Sequence, residues 1–307
     1  MFPTKILLAT DGSPEAMRAA RAAVELAERL DSELHVVYVE PLPSPYAFPE
    51  SAVFDPDFRD TVRKRAEGDA GEKIDLEVEK VRSMGGEIAG SHAVAGRPDA
   101  EIVRVAEELP AGLVVVGSRG LGGVRRALLG SVSSSVVRHA RGSVLVVRGE
   151  GSQASVDLAG PIVLAVDGSE QAKMATRAVA ELSAGTGSEV HVIYVQPSPE
   201  RLYGRHFYSE GIKESLLEQA RTEARAFLDE QAEGVGSAGG AVAQTYLATG
   251  RPDEEIIELA EEIGAGMVVI GSRGLEGIRR ALLGSVSESV LHHAHCPVMV
   301  VRETVFR

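Results

Sequence analysis

The chain has 307 residues, 25% of them charged and 44% hydrophobic, with a formal net charge of −13 and one cysteine. That acidity excludes the basic face by which nucleic-acid binders are held, and no apolar run approaches the ~20 residues that span a bilayer. The single Cys296 excludes an intrachain disulfide and fits a reducing compartment; with no basic-then-apolar leader ahead of the first strand pattern, the expected location is the cytoplasm.

Short β-branched runs alternate with longer helical patterns along the chain. Strands are expected near Lys5–Thr10, Glu33–Val39, Glu87–Val94, Leu113–Gly117 and Val144–Val147. Helical patterns cover roughly Pro14–Leu30, Asp57–Ser83, Pro98–Leu109 and Ser131–His139. The order then repeats, with strands near Ile162–Val166, Glu189–Val195, Ala241–Ala248, Met267–Gly271 and Val298–Val301. Leu113 to Val116 is apolar without alternation, the mark of a parallel strand covered on both faces. Strand and helix alternating in this way predict an open, doubly wound α/β sheet.

The repetition extends to residue identity. Ile6-Leu-Leu-Ala-Thr-Asp11-Gly-Ser13 returns as Ile162-Val-Leu-Ala-Val-Asp167-Gly-Ser169, and Gly96-Arg-Pro-Asp99 returns as Gly250-Arg-Pro-Asp253. The stretch from Gly117 to Ser131 returns almost unchanged from Gly271 to Ser285. Asp167 follows Asp11 by 156 positions and Gly271 follows Gly117 by 154, so one small net deletion aligns the halves. A period this long denotes two tandem domains, since solenoid repeats run only about 20–50 residues. The expected boundaries are 1–148 for the first domain, 149–159 for a Gly- and Ser-rich linker, and 160–307 for the second.

Two clusters directly follow strands: Asp11 with its copy Asp167, and the glycine loop with its copy. Ligands of open α/β sheets bind outside the carboxyl ends of the strands. Gly117 ends a strand, Gly120 lets the chain turn with its amides unobstructed, and Gly130-Ser131 opens a helix whose first amides are free to take phosphate oxygens. Ser131 and Ser133, with Ser285 and Ser287, add hydroxyls. The spacing points to a polyphosphate. Asp11 and Asp167 can accept a ribose hydroxyl, hold magnesium beside the phosphates, or cap the next helix. Arg119, Arg125 and Arg126, with Arg273, Arg279 and Arg280, are either phosphate clamps or solvated surface cations. His139, His292, His293 and His295 read as helix C-terminal residues rather than metal ligands. Cys296 reads as a buried thiol at a strand entry. The segments Glu40–Pro56 and Gln196–Tyr208 are lids over the site or simply long loops.

The pattern Gly-two-Gly-nine-Gly-Ser, preceded by a strand and joined to a first-strand Asp, resembles the ATP-binding branch of the universal stress protein family. The likeness covers nearly the whole chain, twice. It implies two five-stranded parallel α/β domains of order 3-2-1-4-5 that pair through their last strands, with further assembly into homo-oligomers left open. It also implies adenine near Ala9, Thr10, Asp11 and Val39, and near Ala165, Val166, Asp167 and Val195. Ribose and phosphates are implied near Val116, Gly117, Arg119, Gly120, Gly130, Ser131, Val132 and Ser133. The second set is Ile270, Gly271, Arg273, Gly274, Gly284, Ser285, Val286 and Ser287. The copies differ: Ser285-x-x-Glu288 reads as a capping box, where the first copy has Ser134 and so one negative charge fewer. The family's usual Cys-Pro before the last strand is kept as Cys296-Pro297 but is Gly142-Ser143 in the first copy. Both sites are expected to bind, with unequal affinity.

No P-loop Gly-Lys-Ser/Thr is present, and a lone carboxylate lacks the clamp, metal holder and water orienter of phosphoryl transfer. The leading expectation is a nucleotide-binding stress-response regulator whose ATP occupancy sets conformation or partner choice. The alternatives are a slow Mg-dependent ATPase and a nucleotide-free scaffold.

Overall fold

The structure is a computed structural model that describes residues 4–43, 55–120, 129–148, 158–197, 210–274 and 283–302. The chain divides into two compact units. The first contains β1 (Lys5–Thr10), α1 (Pro14–Arg29), β2 (Glu33–Pro41), α2 (Pro56–Ser83), β3 (Ile88–Gly96), α3 (Pro98–Glu108), β4 (Leu113–Gly117), α4 (Ser131–His139) and β5 (Ser143–Val147). All its strand pairings are parallel, in the order β3-β2-β1-β4-β5. The second unit repeats this with β6 (Ile162–Val166), α5 (Glu170–Thr186), β7 (Glu189–Gln196), α6 (Glu210–Ser237), β8 (Ala241–Thr249), α7 (Pro252–Glu262), β9 (Met267–Gly271), α8 (Ser285–His293) and β10 (Val298–Val301). Its order, β8-β7-β6-β9-β10, is the same 3-2-1-4-5 arrangement.

The core is the reason for the order. β4, β5, β6 and β9 are buried along their whole length, as their unbroken apolar runs require. β3 alternates between half-buried and exposed residues and lies at the sheet's edge. The helix α1 presents Ala16, Ala19, Ala20, Ala22, Ala23 and Leu26 to the sheet. Small residues there let the helix sit close, and Gly117 shows how close: a Cβ on it would lie 2.8 Å from the backbone carbon of Glu15.

Two of the ends that differ from expectation have a visible cause. β3 runs on to Gly96 because Glu40 and Pro41 of β2 continue the pairing, opposite Ala95 and Gly96. β5 begins one position earlier than β10 does. The Ser143 amide donates to the carbonyl of Gly112, whereas its counterpart Pro297 has no N–H to give. The Gly142-Ser143 turn of the first domain is therefore compatible with a complete last strand.

A pair of imidazoles joins β2 to β3 at the amino end of the first sheet. Nε2 of His92 lies 3.3 Å from Nδ1 of His35, whose Nε2 lies 3.4 Å from Glu33, itself 3.6 Å from Lys5. Burial, with the neighbouring His35 adding to it, pushes the His92 pKa down, against the opposing pull of Glu108. In the second domain Tyr246 takes the place of His92, and its hydroxyl is 2.9 Å from Nδ1 of His191. His191 is likewise pushed down by burial. Both His92 and His191 thus titrate lower in the fold than in the unfolded chain, where the side chain titrates near 6.5. Stability is expected to fall as pH drops through that value, because the unfolded chain takes up protons that the folded chain refuses. Urea midpoints measured from about pH 7.5 to about 5.5 should decline. They should decline less in His92→Tyr, which installs the second domain's own pairing.

Candidate functional site

At the carboxyl edge of the first sheet, the chain after β1 turns sharply. The Asp11 carboxylate accepts from the Ser13 amide at 3.0 Å through Oδ1, and Gly12 takes φ +77°. Ser13, not Asp11, is the helix cap: its hydroxyl accepts from the Ala16 amide at 3.1 Å, and Pro14 occupies the first turn. Asp11 is released from the capping role and instead spans two loops. Its Oδ2 lies against Gly120, so close that a Cβ there would collide with it. The second domain repeats the set with Asp167 on the Ser169 amide at 2.9 Å, Ser169 capping α5, and Gly274 against Asp167.

The glycine loop is closed by backbone bonds that recur in both domains. Ser118 donates to Val147 and Gly130 donates to Ser118, as Ser272 donates to Val301 and Gly284 to Ser272. Ser133 and Ser287 are buried, and their hydroxyls donate to the carbonyls of Gly117 and Gly271 at 2.6 and 2.8 Å. These two serines hold the helix start onto the strand end; their hydroxyl protons are committed there. Ser131 and Ser285 are exposed at the first turn of the helix. The N-caps of α4 and α8 are Gly130 and Gly284, and neither helix has a side-chain cap hydrogen bond. The capping box expected at Ser285 is therefore overturned. Ser285 is already the first helical residue, so Glu288 falls one position beyond the place from which it could close a box. What remains is an uncapped helix start with its dipole positive there.

In the first domain these pieces line one cavity of about 520 Å³. Every residue expected at the first site lines it: Ala9, Thr10, Asp11, Val39, Val116, Gly117, Arg119, Gly120, Gly130, Ser131, Val132 and Ser133. Its lining joins apolar Val37, Val39, Ile102 and Val116 with Asp11, Arg119 and the start of α4. Sequence reasoning missed Ala16, Val37, Tyr38, Pro41, Pro98, Ile102 and Leu129. The repeated Gly-Arg-Pro-Asp motif was a signal for Pro98, because a motif kept in both copies at the start of a helix marks a wall of the site. Asp99 within it accepts from Ser135 at 2.8 Å and pairs with Arg97 at 3.1 Å, tying α3 to α4; Asp253, Ser289 and Arg251 do the same. Glu77 was also missed. It is buried and accepts from the Thr10 hydroxyl at 2.8 Å, and that oxygen in turn accepts from the Gly12 amide at 3.2 Å. Val166 and Gln231 stand at these positions in the second domain, so only the first braces its aspartate turn this way.

In the second domain Ala165 and Val166 end β6, Val195 is the penultimate residue of β7, and Ile270 with Gly271 ends β9. Val286 follows Ser285 in the first turn of α8. The arginines at the two sites differ. Arg119 pairs with Glu15 at 3.3 Å, and Glu15 also meets Arg18 at 3.3 Å. The second domain has Gln171 and Met174 at the positions of Glu15 and Arg18. Nε of Arg273 is buried without a hydrogen-bond partner. Arg302 is pulled down to about 10 by burial, with the Arg273 charge adding to the effect. Arg125, Arg126, Arg279 and Arg280, and most of both lid segments, lie outside the described residues.

His139 and His293 behave as helix C-terminal groups, whereas His295 lies beyond the end of α8, its Nε2 3.1 Å from Glu261. Nδ1 of His139 and of His293 each lie 2.8 Å from a carbonyl one turn back, at Ser135 and Ser289. Among the described residues no group of three His, Cys, Asp or Glu is placed to hold a metal. Cys296 is half-buried rather than buried. No described helix is long and apolar enough to cross a membrane.

The profile of the Universal stress protein family matches residues 3–148 and again 159–302. The chain belongs to the universal stress protein family. It is 30% identical over 303 residues to a universal stress protein of Mycolicibacterium smegmatis, covering 97% of this chain and 96% of that one. It is 31% identical over 215 residues to one from Mycobacterium tuberculosis H37Rv, covering 70% and 69%. A crystal structure of a universal stress protein from Archaeoglobus fulgidus superposes with a TM-score of 0.69 over 97% of this chain and 98% of that one. At 24% identity that likeness speaks to the fold, a tandem pair of universal stress protein domains.

Proposed function

We propose that this universal stress protein binds ATP in each domain and acts as a cytoplasmic regulator whose occupancy sets conformation or partner choice. The observation that carries the reading is the first domain's cavity. Its apolar lining suits a base, and the start of α4, where the helix dipole is positive, suits a phosphate chain. Denaturing the freshly purified chain and identifying released nucleotide, with its ratio to chain, tests the reading. ATP at one or two per chain supports it. No nucleotide, together with no thermal shift on adding magnesium and ATP, overturns it in favour of a scaffold.

The sites bind unequally in this reading, and each carries its own restraining carboxylate. Glu15 neutralises Arg119 in the first domain, while Glu288 adds a negative charge on the first turns of α8 in the second. Glu15→Gln should tighten ATP at the first site, and Glu288→Ser at the second, each by roughly threefold to tenfold, or about 1 kcal/mol. Calorimetric titration of each variant would show it; unchanged affinities would remove the electrostatic explanation for the difference.

A slow Mg-dependent ATPase is the second reading, favoured by the fixed carboxylates of Asp11 and Asp167. Magnesium is commonly held by one or two carboxylates together with the phosphates of its substrate. Phosphate release that requires magnesium and disappears in an Asp11→Asn, Asp167→Asn double variant would support it.

A further inference from the structure

The second domain has a smaller cavity of about 280 Å³, lined by Gln196, Arg221, Arg225, Leu247 and Thr249. It lies where the carboxyl ends of β7 and β8 meet α6. Arg221 and Arg225 are four residues apart and so share one face of the helix. On other helices Arg29, Arg63, Arg82 and Arg104 each pair with a carboxylate one turn away. Among the described residues, Arg221 and Arg225 have no such partner, although Glu218 and Asp229 lie within a turn of them on the same helix. What sets these two apart, in a chain of net charge −13, is that both guanidiniums line one cavity.

The first domain shows what has been removed. At the positions of Arg221, Arg225 and Gln196 it has Glu67, Gly71 and Glu40. There Lys73 on α2 pairs with Glu40 and sits over the Tyr38 ring, and Arg63 pairs with Glu67. All four charges are satisfied internally. In the second domain Phe227 replaces Lys73 and packs edge-on against Tyr194, with ring centroids 5.0 Å apart. Gln196 replaces the carboxylate, and its Nε2 donates to the Ala220 carbonyl at 2.8 Å, which fixes the amide against α6. Substitution has thus converted a closed ion pair into an open pocket with two cations, a neutral amide, a hydroxyl and an apolar wall from Leu247.

We propose that this pocket is an anion site, distinct from the glycine loop, that takes a compact phosphoryl group, free or as a small monoester. Planar guanidiniums match the oxygens of such a group in pairs, the Thr249 hydroxyl can donate a further bond, and the volume admits little beyond the phosphoryl group and a few carbons. The site is peculiar to the second domain, so it gives the two halves of a duplicated protein different ligands.

The test is calorimetric titration of the full-length chain with inorganic phosphate and with glycerol 3-phosphate. A Gly120→Val, Gly274→Val background removes phosphate uptake by the glycine loops and separates this site from the nucleotide reading. Saturable binding should persist there. An Arg221→Gln, Arg225→Gln variant should lose it by at least about tenfold, or 1.4 kcal/mol, with an unchanged circular dichroism spectrum because both side chains are exposed. Gln196→Glu, which restores the first domain's carboxylate, should weaken it as well. Absence of saturable binding in the millimolar range overturns the proposal, as does binding indifferent to both variants. Preference for glycerol 3-phosphate over inorganic phosphate would identify the monoester as the ligand form.

Discussion

Replacing Gly120 and Gly274 together with valine is expected to abolish nucleotide binding while both domains stay folded. The reason is local. A Cβ at either position enters the space of an aspartate carboxylate, Asp11 or Asp167. That carboxylate also accepts the amide of Ser13 or Ser169, so it cannot retreat without breaking the turn that starts α1 or α5. Either the loop moves out or the aspartate does, and in both cases the two walls of the site no longer face one another. Loss on the order of a hundredfold in affinity at each site, about 2.7 kcal/mol, is the expected size. Each single variant should silence one domain only, so titration would read one remaining site. Two sites of undiminished affinity in the double variant would refute a ligand held between these loops.

Gly117→Ala should cost about 3 kcal/mol of stability, at the upper end of what overpacking a close contact does. The added carbon would lie 2.8 Å from the backbone carbon of Glu15 and 2.9 Å from the Ala16 nitrogen. These are main-chain atoms in the first turn of α1, held by the Ser13 cap, and have no rotamer by which to yield. Gly271→Ala meets the same obstacle at Gln171 and Ala172. Gly68→Ala is the opposite control: it lies inside α2 with nothing within 4 Å of the added carbon. It should stabilise the chain by roughly 0.5–1 kcal/mol, because alanine gives up less backbone freedom in a helix than glycine. Urea unfolding of the three variants gives the ranking directly. A Gly117→Ala midpoint equal to that of the parent would mean that α1 does not bear on β4 as closely as this.

Much of this was legible in the residues alone. The unbroken apolar run of β4 announces a strand covered on both faces, and the absence of alternation suffices to say so. The glycine spacing was equally readable, since a backbone that must approach an anion excludes side chains wherever it occurs. Contacts between distant segments were not readable. The capping box failed because Ser285 and Glu288 fit the local pattern, and only the course of the preceding loop decides that Gly284 is the cap. Ser133 looked like a ligand donor until folding placed it beneath the carbonyl of Gly117.

What the sequence determined by itself is the duplication, the parallel α/β architecture and the two loops that converge at the strand ends. Local propensity, hydrophobic period and backbone permissiveness act over a few residues, and they are written into each segment. Tertiary structure alone decided which charges are satisfied: Glu15 on Arg119, Glu77 under Thr10, and, among the described residues, Arg221 and Arg225 without a carboxylate. Ionic pairing depends on distances between side chains far apart in the chain, and a few ångströms set by packing separate a neutralised pair from an open site.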